Sequence, residues 1–270
     1  IISVPEDLPT IQAAIEVAGD NDTVLVAPGT YKENVDFLGR PVVVLSSGGR
    51  DVTFIEPAYL SSPATVPAAV DSSDLEYLAS LSENLPLVRF VSGEDENSVL
   101  DGFTVRNNTF GYGIYCLESG PVIQNCDVSN CVGFEDGAGI WCQNAPAKIR
   151  YNRVHHNTCG ITGAGIAGQG VNGPEVSYNI VYENQSPHGP GIGFIYPTSN
   201  VNIHHNEVRD NISEDGGQSA IYVRGTSSKI INNTVVGNTS GISVLYGSGV
   251  YILNNIVVSN LEWGICPGAA

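Results

Sequence analysis

Two sets of polar residues recur at a constant interval. His188 and Asp215 stand 27 residues apart, and so, in succession, do His156, Glu183 and Asp210. In a chain that returns on itself with that period, each set becomes a column of side chains one repeat apart. His188 and Asp215 would form an acid–base couple, an imidazole and a carboxylate able to move a proton at a bound substrate. His156, Glu183 and Asp210 would form a mixed imidazole–carboxylate column suited to a divalent cation. The segments holding the couple read SPHGPG and SEDGGQS, and a third, GFEDGAG, adds Glu135 and Asp136. The acidic pairs Glu135/Asp136 and Glu214/Asp215 suggest a two-carboxylate mechanism, in which acid and base flank one bond about 5 to 9.5 Å apart. The spacing opposes that reading, because three repeats at about 4.8 Å each would put the pairs about 14 Å apart.

The element that must position these residues is a repeat. An apolar pair recurs as Leu100/Val105, Ile123/Val128, Ile149/Val154, Val176/Val181, Ile203/Val208, Ile230/Val235 and Ile252/Val257. Its second members are separated by 23, 26, 27, 27, 27 and 22 residues. A period in this range indicates a solenoid, and the unit is too short for two packed helices. Val, Ile, Asn and Gly dominate it, which favours strands. Inward residues of one strand are an even number apart, so a spacing of five requires a corner between the two apolar positions. Asn152, Asn179, Asn206, Asn233 and Asn255 fall at that corner, where Asn accepts left-handed backbone and its stacked amides can form a ladder. A second file holds Asn108, Asn157, Asn184, Asn211, Asn238 and Asn260, and in one repeat Cys126 and Cys131 fill both files. A third strand is marked by Ile114, Ile140, Ile166, Ile192, Ile221, Ile242 and Ile265.

These features predict an all-β chain, a single right-handed parallel β-helix with three strands per coil, over residues 1–270. Residues 1–35 are expected to hold an N-terminal capping helix and the first strand, and 99–270 the regular coils. The segment TIQAAIEVAGD has helical spacing at Ile11, Ala14, Ile15 and Val17, and a helix there would cover the open sheet edges. Residues 57–88 break the pattern and read as a long excursion, with a short helix at 74–81. The GICPGAA end has no recognisable cap, which leaves room for self-association through the solenoid ends.

The segment TIQAAIEVAGDNDTVLVAPGTYKENV resembles the opening of pectin methylesterases. GEDENSVLDGFTV and the GAGIWC-type strands resemble repeats of the pectate-lyase-like superfamily. The resemblance spans nearly the whole chain and implies the fold. It does not select an activity, because that superfamily holds lyases, hydrolases, esterases, epimerases and non-enzymatic surface proteins. Its enzymes generally use the groove beside the third strands, and that implication directs attention to the outward residues there. Trp141 and Tyr222 would flank a floor of Gly165, Ala167, Gly168 and Gly193, with Gln143, Gln169 and Arg224 two positions further along their strands. Aromatic faces stack on sugar C–H surfaces and amides bond hydroxyls, so this set is the expected ligand site for a polysaccharide. The motifs of polygalacturonase-like sites, pectin methylesterases and uronate lyases are not reproduced. PHGPG is a partial echo, and the three lysines, Lys32, Lys148 and Lys229, lie outside the groove.

Charge narrows the partners. Eleven Lys and Arg against 28 Asp and Glu give a formal charge of −17. Such a surface repels nucleic acid and anionic membranes, and no apolar run reaches the length of a spanning helix. A neutral glycan fits, or an anionic one bridged by a divalent cation such as calcium; no other cofactor is implied. Six N-x-S/T sequons and the missing initial Met fit a secreted or cell-surface product. Cys116 and Cys142 are expected to stack in the core, and Cys131 and Cys159 are the best-placed pair for a disulfide.

Overall fold

The computed structural model describes residues 1–58, 86–170, 173–196, 201–214, 219–225, 228–247 and 249–267. Most of the expected 57–88 excursion, with the short helix at 74–81, lies outside the described residues. The chain forms a right-handed parallel β-solenoid of about 9 turns. Its strands stack into one ten-stranded and two nine-stranded parallel sheets. In the central coils the first sheet runs through Lys148–Arg150, Glu175–Ser177 and Asn202–His204. The second runs through Arg153–His155, Ile180–Tyr182 and Glu207–Arg209, and the third through Ile140–Gln143, Ile166–Gln169, Ile192–Ile195 and Ile221–Arg224.

The apolar repeat sets the register. Ile149 pairs with Val176 and Val176 with Ile203 in the first sheet, while Val154 pairs with Val181 and Val181 with Val208 in the second. Ile140, Ile166, Ile192 and Ile221 align in the third. Each of these central coils thus sends one aliphatic side chain inward from every sheet, and all of those named are fully buried. Burial of each contributes about 1.5–3 kcal/mol. A one-residue slip in any strand would turn its inward residue to solvent, which is why the register holds.

The corners differ from expectation in one respect. The ladder asparagines do not adopt the left-handed conformation. It falls one residue earlier, at Tyr151, Tyr178, His205 and Asn232, with φ of 59°, 56°, 56° and 57°. At the second corner it falls at His156, Glu183 and Asp210, with φ of 55°, 53° and 54°. The left-handed residue turns its side chain outward, so the following Asn points into the core. Left-handed backbone costs a non-glycine residue about 1–2 kcal/mol, and the Asn amide offsets it by linking coils. Asn179 Oδ1 accepts from the Asn152 backbone N–H at 2.9 Å and from Asn152 Nδ2 at 3.0 Å. Its own Nδ2 donates to Ile149 O at 2.9 Å and to Asn206 Oδ1 at 3.0 Å. Asn184 repeats the pattern in the second file with Asn157, Val154 and Asn211.

Where Cys126 and Cys131 replace asparagine, the thiols donate to backbone carbonyls, Cys126 Sγ to Gln124 O at 3.2 Å and Cys131 Sγ to Ser129 O at 3.5 Å. Burial pushes both thiols up to about 12. All six cysteines are free, so the expected Cys131–Cys159 disulfide is absent; the two thiols pack with Ala138 and Ala164 in a small core of their own. Cys116 and Cys142 do stack in register in adjacent coils.

At the N-terminal end a helix over Ile11–Val17 covers the first coil. Thr10 caps it, accepting from the Ala13 N–H at 3.1 Å, and Glu33 takes the Ile11 and Gln12 N–H groups at 3.0 and 2.8 Å. Ile11, Ala14 and Ile15 are buried as expected, but Val17 is exposed and Ala18 takes the inward position. Residues 1–35 hold more than one strand: Ile2–Val4 precedes the helix and pairs with Thr23–Val26, and Gly29–Lys32 already belongs to the second sheet.

Candidate functional site

The third strands present Tyr115, Trp141, Ala167, Gly193, Tyr222 and Ser243 on their outer side, in register. The open floor expected between Trp141 and Tyr222 is covered by the chain itself. The loops preceding the strands fold back at Gly137, Gly163 and Gly189, all at positive φ. A Cβ on Gly137 would come within 2.7 Å of the Trp141 ring, and one on Gly163 within 1.9 Å of the Ala167 Cβ. Only glycine allows backbone so close in that conformation. Trp141 is therefore 3% exposed and Tyr222 5%. Trp141 lies parallel to Tyr112 at 6.3 Å, and Tyr112 stacks on Tyr115 at 5.2 Å. The Tyr115 hydroxyl donates to Gln143 Oε1 at 3.0 Å. Gln169 borders a cavity of about 10 Å³ with Cys142, Phe194 and Ile195, too small for a sugar. A larger cleft of about 350 Å³ lies in the N-terminal coils beside the Arg89–Asp36 ion pair, with Arg89 the in-register strand neighbour of Tyr115.

The outer surface of this loop layer carries the polar groups. Thr162 and His188 pair as a parallel bridge in adjacent coils, and Asp136 sits one coil before Thr162. Thr162 bonds Asp136 through both its hydroxyl and its backbone N–H. Asp136 Oδ1 and His188 Nδ1 are buried and have no hydrogen-bond partner among the described residues. Burial raises the Asp136 carboxyl above the usual Asp range; the Thr162 bonds and the nearby His188 pull the other way without cancelling it. Unpartnered polar atoms in this setting cost stability unless something else uses them. The His188 ring lies 6.1 Å from that of Tyr222. Burial raises the Tyr222 phenol, opposed by Arg224.

Arg224 stands at the edge of the same face. Its guanidinium lies 4.9 Å from the Tyr196 ring centre and 5.4 Å from that of Tyr246, and both rings are exposed. Its Nε is buried without a partner among the described residues. Chemically, the layer offers a carboxyl raised above the usual Asp range by burial, an imidazole whose Nδ1 has no partner among the described residues, and a cation flanked by two exposed rings. Such a set can move a proton and hold a polar ligand.

The sequence-derived columns fare unequally. Asp215 lies outside the described residues, so its pairing with His188 has no geometry. Asp136 lies two coils from His188 across Thr162, and the His188 ring acts on its carboxyl. In the sequence Asp136 stands out only as half of the Glu135/Asp136 pair. Glu214 bonds Gln185, and Glu135 is exposed. In the other column, His156 Nε2 meets Glu183 Oε2 at 3.0 Å, but Asp210 Oδ2 turns to Arg209 Nη1 at 2.9 Å. The three do not converge, because Arg209 neutralises the third carboxylate. No group of three His, Cys, Asp or Glu side chains forms a metal centre among the described residues. Tyr196 and Tyr246 were missed. They occupy left-handed corner positions just past the ends of their strands, outside the repeating Gly-Ile strand pattern.

A solenoid of three parallel sheets with loops layered over one of them defines the β-helix class. Residues 90–258 match the family model for the right-handed β-helix region, and the chain belongs to that family. No curated protein sequence matches the chain. One similar solved structure is a pectin methylesterase from carrot, at 12% identity and a TM-score of 0.40, covering 96% of this chain and 84% of that one.

Proposed function

We propose that this chain is a carbohydrate-binding β-helix protein whose ligand lies across the loop layer over the third sheet. The polar groups of that layer give it the means to modify the ligand by proton transfer. The observation that carries the reading is a set of buried polar atoms on one face, Asp136 Oδ1, His188 Nδ1 and Arg224 Nε, that have no partner among the described residues. Polar atoms left unpaired on a stable scaffold are supported best by a ligand that pairs them. In this reading Arg224, between Tyr196 and Tyr246, anchors the ligand, and the rings add apolar contact to sugar C–H faces. His188 is the proton-transfer group, with Asp136 or Asp215 as its partner. Gln143 and Gln169, half-buried at the ends of their strands, supply hydroxyl contacts. Trp141 and Tyr222 support the layer from beneath. A charge of −17 favours a neutral polysaccharide, or an acidic one bridged by calcium. Secretion or display at the cell surface belongs to the same reading, and among the described residues no helix is long and apolar enough to cross a membrane.

Calorimetry against neutral and acidic polysaccharides, with and without calcium, tests this. Arg224→Ala should weaken binding at least fivefold. His188→Ala should abolish any turnover while leaving affinity within about threefold. Absence of binding to every glycan, or binding indifferent to Arg224, refutes the reading. A second reading, self-association, has one observation in its favour. On the coil at 251–265 the outward residues Tyr251, Leu253, Ile256 and Val258 are all exposed, an apolar strip absent from the central coils. Sedimentation velocity over a concentration series tests that reading, and a monomer throughout would remove it.

A further inference from the structure

Four of the five histidines lie far from the loop layer, in two adjacent pairs whose hydrogen bonding differs in a way that has chemical consequences. In each pair the two Nδ1 atoms face one another, at 2.7 Å for His155 and His156 and at 3.0 Å for His204 and His205. What differs is the partner of each outer nitrogen. His204 Nε2 meets Glu175 Oε1 at 3.3 Å, and His205 Nε2 meets the Asn232 amide nitrogen at 3.2 Å. This chain closes with both rings neutral. Asn232 donates to His205 Nε2, His205 Nδ1–H donates to His204 Nδ1, and His204 Nε2–H donates to Glu175.

The His155–His156 pair cannot close that way. His155 Nε2 meets Asp127 Oδ1 at 3.0 Å, and His156 Nε2 meets Glu183 Oε2 at 3.0 Å. Both contacts are with carboxylates, which only accept, so both Nε2 atoms carry hydrogen. Two neutral rings then leave two Nδ1 lone pairs facing each other at 2.7 Å. That contact needs a cation between the nitrogens, either a proton shared as Nδ1–H···Nδ1 by one charged ring or a metal ion held by both. We propose that His155 and His156 chelate a divalent late transition metal ion through their two Nδ1 atoms, with water completing its coordination.

The surroundings fit such an ion. A ligating histidine typically donates its other ring N–H to a carboxylate, which fixes the tautomer and raises the basicity of the bound nitrogen. Both rings here have that partner, from the coils on either side. Adjacent nitrogens at about 2.0–2.1 Å from a metal stand about 2.9–3.4 Å apart, so the pair needs to open by only a few tenths of an ångström. The ring planes cross at 81°, and His155 is held by stacking on Tyr182 at 4.6 Å. Arg209 lies over the far side of Tyr182 with its charge engaged by Glu207 and Asp210. His156 is exposed, which gives the ion its route in. Two imidazoles without a thiolate select Cu(II), Ni(II) and Zn(II) over calcium and magnesium. The site is thus distinct from any calcium bridge in the glycan reading and does not depend on that reading.

The test is calorimetry of the full, tag-free chain with Ni(II) and Zn(II) salts, together with Cu(II) electron paramagnetic resonance. One equivalent should bind, and the Cu(II) spectrum should show two nitrogen ligands. His156→Asn, which keeps a residue tolerant of left-handed backbone, should weaken binding at least tenfold, as should His155→Gln. Asp127→Asn should weaken it about threefold or more. His205→Asn should leave it within twofold, because that pair is already satisfied. Thermal melts will check that each variant folds; if His155→Gln does not, His156→Asn decides alone. No binding by the wild-type chain, binding retained within twofold in His156→Asn, or an equal loss in His205→Asn overturns the proposal.

Discussion

Replacing Asn179 by Leu should show how far the solenoid depends on its buried amides. The side chain takes part in four hydrogen bonds: two accepted from Asn152, one donated to Ile149 O and one donated to Asn206 Oδ1. Leucine keeps the number of side-chain heavy atoms but is bulkier, so some overpacking adds to the loss of polar partners, which is the larger effect. The Asn152 backbone N–H loses its acceptor inside a buried corner, at a cost of about 1–3 kcal/mol. Asn152 Nδ2 keeps Ile123 O, and Asn206 Oδ1 keeps the Asn179 N–H, so each loses only one of two partners. Adding about half a kcal/mol for each partial loss and subtracting a modest apolar gain leaves about 2–4 kcal/mol. For a chain of this size that lowers the melting temperature by on the order of 5–15 °C. Asn255→Leu is the internal comparison. It sits in a half-exposed coil where water can replace the lost acceptor, so about 1 kcal/mol is expected. The assay is thermal and urea unfolding followed by circular dichroism. The double change Asn179→Leu/Asn206→Leu should cost less than the sum of its parts, because each single change strands groups that the other removes. A melt of Asn179→Leu within 1 °C of wild type, or strict additivity of the double change, would refute the ladder argument.

Other outcomes follow from the same geometry. Asp136 has a carboxyl raised by burial, so its contribution to folding is most favourable below the ordinary Asp range and is lost as pH rises through its folded value. Asp136→Asn should therefore raise the melting temperature at pH 7, and the gain should vanish on acidification below about pH 4; no gain at neutral pH would contradict the burial argument. Cys126, Cys131 and Cys159 are pushed up to about 12 by burial, and Cys116 well above its usual value. At pH 8 a thiol reagent should accordingly label Cys266 quickly, and these four only after denaturation, as counted by mass spectrometry. Gly163→Ala should destabilise by about 3 kcal/mol or more, because φ is +77° and the new Cβ would meet Ala167 at 1.9 Å; a soluble variant with an unchanged melt would show that the loop layer can lift. Trp141→Ala should cost about 3–5 kcal/mol in stability, read by urea unfolding, because the ring is buried against Tyr112 and beneath Gly137.

Much of the scaffold was legible in the sequence because a solenoid repeats one local rule. Ile149, Val154 and Ile166 and their counterparts in each successive coil encode the three inward faces. The odd spacing within each pair encodes a corner, and the Asn files announce ladders that the hydrogen bonds bear out. These features depend on contacts between equivalent residues of neighbouring coils, so the period carries them. The loop layer depends on contacts between non-equivalent positions, and no period carries those. Gly137 over Trp141 and Gly163 over Ala167 closed a surface that outward alternation alone marks as open. Thr162 placed between Asp136 and His188 joined two loops that spacing had assigned to different partners. Arg209 took Asp210 out of a column that the interval of 27 had put together. The pairing of each His155 and His156 nitrogen was likewise set by side chains from three successive coils. The repeat fixes where backbone goes; which polar atoms meet depends on rotamers and on loops of unequal length, and only the folded chain decides that.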